Sequence, residues 1–347
     1  MPSSYYDDKL ETLTDLFGTK AQIDRGCLRL ADASYPIVDD VIVLLPPERR
    51  PVSLRPASVA DRRSPIGDER ASDLVQASFG AEWNVYADVL PEHRDEFVSL
   101  FDLVDLGSLH RARVADLGCG IGRWSHFVAP HCRELVLVDF SDAIFVARRN
   151  LAGVKNALFF LGDVTVLPFR RDFADFAFCI GVLHHLPTPA LDAVRSLAAC
   201  APRLLIYLYY ALDNRAWYFR TLLRAADVLR HRLSRIRDPR IRRLTARLTA
   251  VAIYKPLIGF GHVLDLVGWG RFVPLFEYRG KSLRRIEQDT YERFFNDIEQ
   301  RVSRAEIVER LSPSFPRLTI SERAPYWHFL CERTAAPPSA AAEVHRQ

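Results

Sequence analysis

From residue 113 onward the chain alternates short apolar runs with amphipathic stretches. Residues 113–117, 134–139, 157–161, 175–180 and 203–209 are nearly continuous apolar runs of strand length, as expected of strands covered on both faces. Between them, 123–129, 142–150 and 189–200 read as helices. This alternation predicts a parallel, doubly wound α/β sheet. It stops at 211 and resumes with a helix over 303–311, opened by Ser303 with Glu306 three positions on, a capping box. Two further apolar runs, 317–322 and 326–331, are joined so tightly that they must be antiparallel. The count is then seven strands, mostly parallel, with an antiparallel C-terminal hairpin.

The remaining segments fall around this core. Residues 1–50 carry strand-like runs at 27–30 and 40–45 and read as a small β module. Residues 51–78, rich in Arg, Pro, Ser and Asp, read as a linker. The core is expected over 79–211, beginning with a helix over 92–106 that gathers Phe97, Leu100, Phe101 and Val104 on one side. A mainly helical insertion spans 212–300, and the core closes over 301–333. The Ala/Pro-rich tail, 334–347, is expected to be disordered.

The first core strand ends in glycines at alternate positions, Gly118, Gly120 and Gly122, after Asp116. Glycine permits positive φ and close approach of a ligand to the main chain. A strand–turn–helix of this kind is a nucleotide-binding edge. The dinucleotide spacing G-x-G-x-x-G fails in either register, at Arg123 or at Ser125, and the G-K-[ST] of a phosphate-cradling loop is absent.

Composition narrows the class further. The chain has 347 residues, 49% hydrophobic and 26% charged, enough for one large domain and an appendage. A net charge of +4 does not mark the whole chain as a nucleic-acid binder. Six scattered cysteines without a C-x-x-C pair read as reduced thiols of a cytoplasmic protein. The polar, acidic residues 1–10 do not read as a signal peptide. The most apolar long stretch, 251–267, is interrupted by Lys255, Pro256, His262 and Asp265.

The pattern Asp116-x-Gly-x-Gly-x-Gly122 resembles motif I of the class I S-adenosylmethionine (SAM)-dependent methyltransferases. The resemblance implies SAM as cofactor, S-adenosylhomocysteine (SAH) as product, and no metal. It implies a cofactor site made of Asp116, Gly118, Cys119, Gly120 and Gly122 at the first strand, with Asp139 on the ribose hydroxyls. Phe140 would stack on the adenine, Asp163 beside Val164 would accept from its amino group, and Ile180 and Gly181 would close the site. The segment Ile180-Gly-Val-Leu-His-His-Leu-Pro187 resembles the family's post-strand-4 stretch and offers His184 and His185 as candidate general bases. Trp83 and Tyr86 resemble an aromatic segment that some members fold over the cofactor. With Tyr209, Asn214, Arg215 and Trp217 they are candidate acceptor-side residues. Residues 35–46 resemble the end of a zinc ribbon, but of its cysteines only Cys27 survives. Tetrahedral zinc needs four ligands, so a degenerate, metal-free module is expected.

Residues 215–247 are strongly basic, and Ile241, Leu244, Leu248 and Val251 share one helical face. This segment is expected either to cap the acceptor or to make peripheral contact with a membrane. The expected activity is methyl transfer to a small-molecule acceptor, most simply O-methylation of a hydroxylated natural-product, sugar or lipid-like compound. RNA methylation and a non-catalytic SAM-binding adaptor stay open as alternatives, as does the oligomeric state.

Overall fold

The computed structural model describes residues 5–55, 76, 80, 83, 85–236, 238–295, 298–323 and 327–333. Most of the expected linker, the tail and Tyr326 lie outside the described residues.

The parallel centre of the sheet follows the apolar runs. β5 (Arg113–Leu117), β6 (Glu134–Asp139), β7 (Ala157–Leu161), β8 (Phe176–Ile180) and β9 (Arg203–Tyr207) are parallel, and β10 (Arg317–Ile320) and β11 (His328–Glu332) return antiparallel. Alternate residues feed two apolar layers. Ala115, Val136, Leu158 and Ala177 face one layer, and Val114, Leu135, Phe159 and Phe176 face the other. Burial on both faces is what the unbroken apolar runs encode. The helix Arg304–Leu311 starts with the expected capping box of Ser303 and Glu306. The helix expected over 92–106 is shorter, His93–Leu100, and the chain re-coils as a 3-10 turn at Leu106–Leu109.

The sheet has eleven strands, not seven. β1 (Gln22–Asp24), β2 (Cys27–Arg29), β3 (Ser34–Val38) and β4 (Val41–Val43) form an antiparallel meander. β4 pairs parallel with β7 at Ile42–Phe160, so the order runs β1-β2-β3-β4-β7-β6-β5-β8-β9-β11-β10. The N-terminal segment is therefore the edge of the main sheet, and the zinc-ribbon resemblance is not supported. No cluster of potential metal ligands occurs among the described residues.

Packing and buried polar contacts hold this edge. Tyr6 is fully buried; its hydroxyl donates to the Asp40 carbonyl at 2.7 Å and accepts from the Phe159 N–H at 3.2 Å. Arg113, buried in the sheet, reaches Asp15 and Glu134 at 2.6 Å each. Between β9 and the Arg304 helix the chain is mainly helical: Trp217–Leu233, Pro239–Thr249, Lys255–Asp265 and Leu283–Phe295. No helix among the described residues is long and apolar enough to cross a membrane.

Removing the Tyr6 hydroxyl tests this docking. Tyr6→Phe should cost about 1–2 kcal/mol, since it strands buried backbone groups, and Tyr6→Ala about 3–5 kcal/mol. Urea unfolding reads both; an unchanged midpoint for Tyr6→Ala would mean the meander does not stabilise the sheet.

Candidate functional site

The carboxyl ends of β5, β6, β7 and β8 surround one cleft. Gly118, Cys119, Gly120, Asp139, Phe140, Asp163, Val164, Ile180 and Gly181 line it, together with Trp83 and His185. Gly118 sits at φ +86°, and a Cβ there would lie 2.4 Å from Val182. The β5 turn can close on the β8 tip only with glycine at that position. Asp139 holds the turn from the neighbouring strand. One carboxylate oxygen accepts from the Gly120 N–H at 2.7 Å; the other accepts from the Ser141 N–H at 2.8 Å and hydroxyl at 2.7 Å. Burial pushes the Asp139 carboxyl up, and these donors pull it back.

Several candidates stand elsewhere. Asp116 does not reach the cleft wall. It is buried beneath the turn, accepting from the Ser125 hydroxyl at 2.7 Å, and burial pushes its carboxyl up to about 8. Gly122 packs against Leu151 and Ala147 behind the turn. His184 lines neither the cleft nor the chamber described below. It is fully buried with its ring 3.9 Å from that of Tyr209, and burial holds it well below the ordinary histidine range, neutral. Tyr86 is packed with Tyr291, Ala246 and Phe295 beneath the helical region. Asn214 and Trp217 are exposed and line neither hollow, because the chain turns outward after β9.

His185 does line the cleft. Its Nδ1 is 2.7 Å from the Ile298 carbonyl, which fixes the proton on Nδ1 and the lone pair on Nε2. Burial lowers its pKa, with the Ile298 carbonyl opposing.

The adenine-side partners expected from the sequence are both engaged by a residue from the N-terminal edge. The Arg49 guanidinium reaches Asp163 at 2.7 Å and lies 5.2 Å from the centre of the Phe140 ring. Gln76 donates to the carbonyls of Arg49 and Phe140 at 3.1 and 2.7 Å. Nothing in the local pattern around residue 49 signals this role; only the pairing of β4 with β7 brings Arg49 there.

A second hollow adjoins the first. Arg123, Trp124, Ile180, Gly181 and Glu292 line both. The second is walled by Tyr207 at the end of β9, by Tyr209 and Tyr210 just after it, by Arg215, and by the helices His93–Leu100 and Leu283–Phe295. The two helices are joined by a buried ion-pair ladder. Arg285 grips Glu96 with two nitrogens at 3.0 Å each, and Lys281 reaches the same carboxylate at 2.7 Å. Asp289 takes Arg293 at 2.9 Å, Arg285 at 3.4 Å and the Tyr278 hydroxyl. Burial alone would raise Glu96; Arg285 and Lys281 outweigh it and hold the carboxyl at about 2. Asp289 is lowered in the same way, against burial, by Arg293 and Arg285. Tyr209 donates to Glu292 at 3.1 Å, and burial keeps that phenol protonated.

Comparison with known proteins fits this geometry. The model of a methyltransferase domain matches residues 114–201, the segment from β5 to the turn before β9. Phosphoethanolamine N-methyltransferase 1 of Caenorhabditis elegans is 25% identical over 139 residues, which cover 36% of this chain and 29% of that protein. An uncharacterized protein of Synechococcus is 36% identical over 106 residues, 28% of this chain and 24% of its own. The chain thus spans less than a third of the length of these curated relatives. The SAH-bound structure of magnesium protoporphyrin IX methyltransferase from Synechocystis covers 75% of this chain and 97% of its own, at 15% identity and a TM-score of 0.43. Residues 114–201 are thus similar to a methyltransferase domain.

The ladder makes a pH prediction. A carboxyl whose folded pKa is depressed stabilises the fold above its unfolded value and loses that contribution as pH falls toward the folded one. Glu96→Gln should therefore cost about 2 kcal/mol at pH 7, and the deficit should shrink as pH falls from 5 toward 2. Urea unfolding of both proteins across that range measures it; a deficit independent of pH would contradict the assignment.

Proposed function

We propose that the chain is a SAM-dependent methyltransferase that acts on a small polar acceptor held in the charged hollow beside the cofactor cleft. The observation that carries this reading is the convergence of Asp139, Phe140 and Asp163 with the glycine turn on one cleft that opens, past Ile180 and Gly181, onto a second. The residues present suit this cofactor. A carboxylate at the β6 tip, an aromatic face beside it, a carboxylate after β7 and a turn kept bare by glycine match ribose, adenine, amino group and main-chain contact in turn. SAM supplies an electrophilic methyl on its sulfonium.

The chain's contribution is orientation and proton handling. Trp83 covers Gly120, whose ideal Cβ position is 3.4 Å from the indole, and shields the cleft from water. Glu292 stands where the two hollows meet, fixed by the protonated Tyr209, and is the carboxylate placed to take the proton from an acceptor hydroxyl. Four tyrosines and the Arg215 and Arg293 guanidinium groups favour an acceptor rich in oxygen, which supports O-methylation of a hydroxylated compound. Arg49 acts as a positioning residue, holding Asp163 for the adenine amino group.

Calorimetry with SAH tests the cofactor reading. The wild-type protein should bind, and Asp139→Ala should bind at least about tenfold more weakly, ~1.4 kcal/mol; silence in the wild type would overturn the proposal. Arg49→Ala should weaken SAH several-fold and narrow the preference for SAH over its inosine analogue, because the lost contact is to the amino group that inosine lacks. Glu292→Gln should keep SAH affinity within about twofold yet abolish transfer of labelled methyl to acceptor-containing extract fractions.

A further inference from the structure

Of the large apolar side chains left exposed among the described residues, all but Val52, Val98, Val166 and Val308 lie between Trp217 and Phe272. The exposure is organised. Pro239–Thr249, a π-helical turn at Ala250–Tyr254 and Lys255–Asp265 run end to end as one helix, about 40 Å long at 1.5 Å per residue. Its inner face buries Ala246, Ala250, Ile258 and Gly261. Its outer face leaves Ile241, Leu244 and Leu248 exposed before the π turn, Val251 within it, and Phe260 and Val263 after it.

The π turn keeps these in line. Val263 follows Leu244 by nineteen positions (263 − 244). A π turn absorbs about one residue, leaving roughly eighteen steps of ~100°, or five whole turns. Without it the two halves of the stripe would diverge by ~100°. A helix that only capped the acceptor would gain nothing from an apolar face in register along its solvent side.

Charge is distributed with the same order. Arg240, Arg243, Arg247 and Lys255 are all exposed and fall on one flank, roughly 90° from the stripe. Residues 217–272 contain eleven arginines and one lysine against three aspartates, an excess of 11 + 1 − 3 = +9. Two exposed indoles, Trp217 at 71% and Trp269 at 63%, border the region.

We propose that this face lies on an anionic lipid bilayer, with the long helix parallel to the membrane plane and its apolar stripe in the headgroup–acyl boundary. An apolar stripe, a cationic flank and bordering tryptophans are the signature of interfacial binding. A second copy of the chain is a poorer occupant, because a self-complementary contact would oppose two regions of +9 with few acids between them. The proposal does not depend on the methyl-transfer reading.

The test uses the full chain and vesicles of phosphatidylcholine, with or without about 30 mol% phosphatidylglycerol, in flotation, with sedimentation velocity run alongside. The protein should float with the anionic vesicles and at least tenfold less with phosphatidylcholine alone. The pair Leu244→Glu/Leu248→Glu, on the solvent side of the helix, should lose at least tenfold of the bound fraction while keeping the wild-type melting midpoint. The pair Arg240→Glu/Arg243→Glu should do the same through charge. Absence of flotation would overturn the proposal, as would flotation that Leu244→Glu/Leu248→Glu leaves intact, which is charge attraction alone. So would a stable dimer that this pair splits, since the stripe would then be covered by a second copy.

Discussion

The site depends on one carboxylate reaching sideways between strand tips. Asp139, at the end of β6, accepts from the Gly120 N–H at the end of β5 and from Ser141 at the start of its own loop. Three of the five residues of the turn, Gly118, Gly120 and Gly122, have no side chain to fix its path. Its shape is set by Asp139 on one side and by Val182, which fills the space Gly118 leaves, on the other. Hydrogen bonds to an ionised acceptor are the stronger kind, and in a buried cleft they are poorly screened. The same carboxylate that shapes the turn faces the cleft, so the geometry of the turn and the chemistry at its edge are not separable.

The centre of the fold was legible in the sequence because burial on both faces leaves a local signature. The runs at 113–117, 134–139 and 157–161 coincide with β5, β6 and β7. The residues that line the cleft were legible for the same reason: they follow strand ends directly. The runs at 27–30 and 40–45 coincide with β2 and β4, but their place in the main sheet was not legible: strands of three residues are too short for a period, and the pairing of β4 with β7 is fixed by tertiary packing. Arg49 follows from that pairing and was equally hidden. The second hollow was half seen. Tyr209 and Arg215 come just after a strand, whereas Arg285, Asp289 and Arg293 lie on a helix whose inward side is polar and paired, with Lys281 just ahead of it. A polar face normally reads as solvent-exposed. Of the two adjacent histidines, His184 is buried against Tyr209 away from both hollows, whereas His185 lines the cleft.

The helical region after β9 has two faces with different tasks. Its inner side carries the ion-pair ladder that joins Leu283–Phe295 to His93–Leu100 and walls the hollow next to the glycine-turn cleft. A paired network of this kind adds little net stability, but it fixes the spacing of the two helices and fills the hollow with directional polar groups. Its outer side carries the apolar stripe. The first part of the stripe lies on Pro239–Thr249, which packs against the ladder helix Leu283–Phe295, so the two faces are joined through that helix pair.

The parallel pairing of β4 with β7 has a consequence for synthesis on the ribosome. Ile42 finds its partner only when Phe160 has emerged, 118 positions later (160 − 42). At about 5–20 residues per second, the meander waits roughly 6–24 s with an unpaired edge and a tyrosine seeking its pocket. Contacts this distant in sequence form late and slow the search. The first strands made thus wait for β7 before they can be seated, and the nascent chain carries an open β edge through that interval.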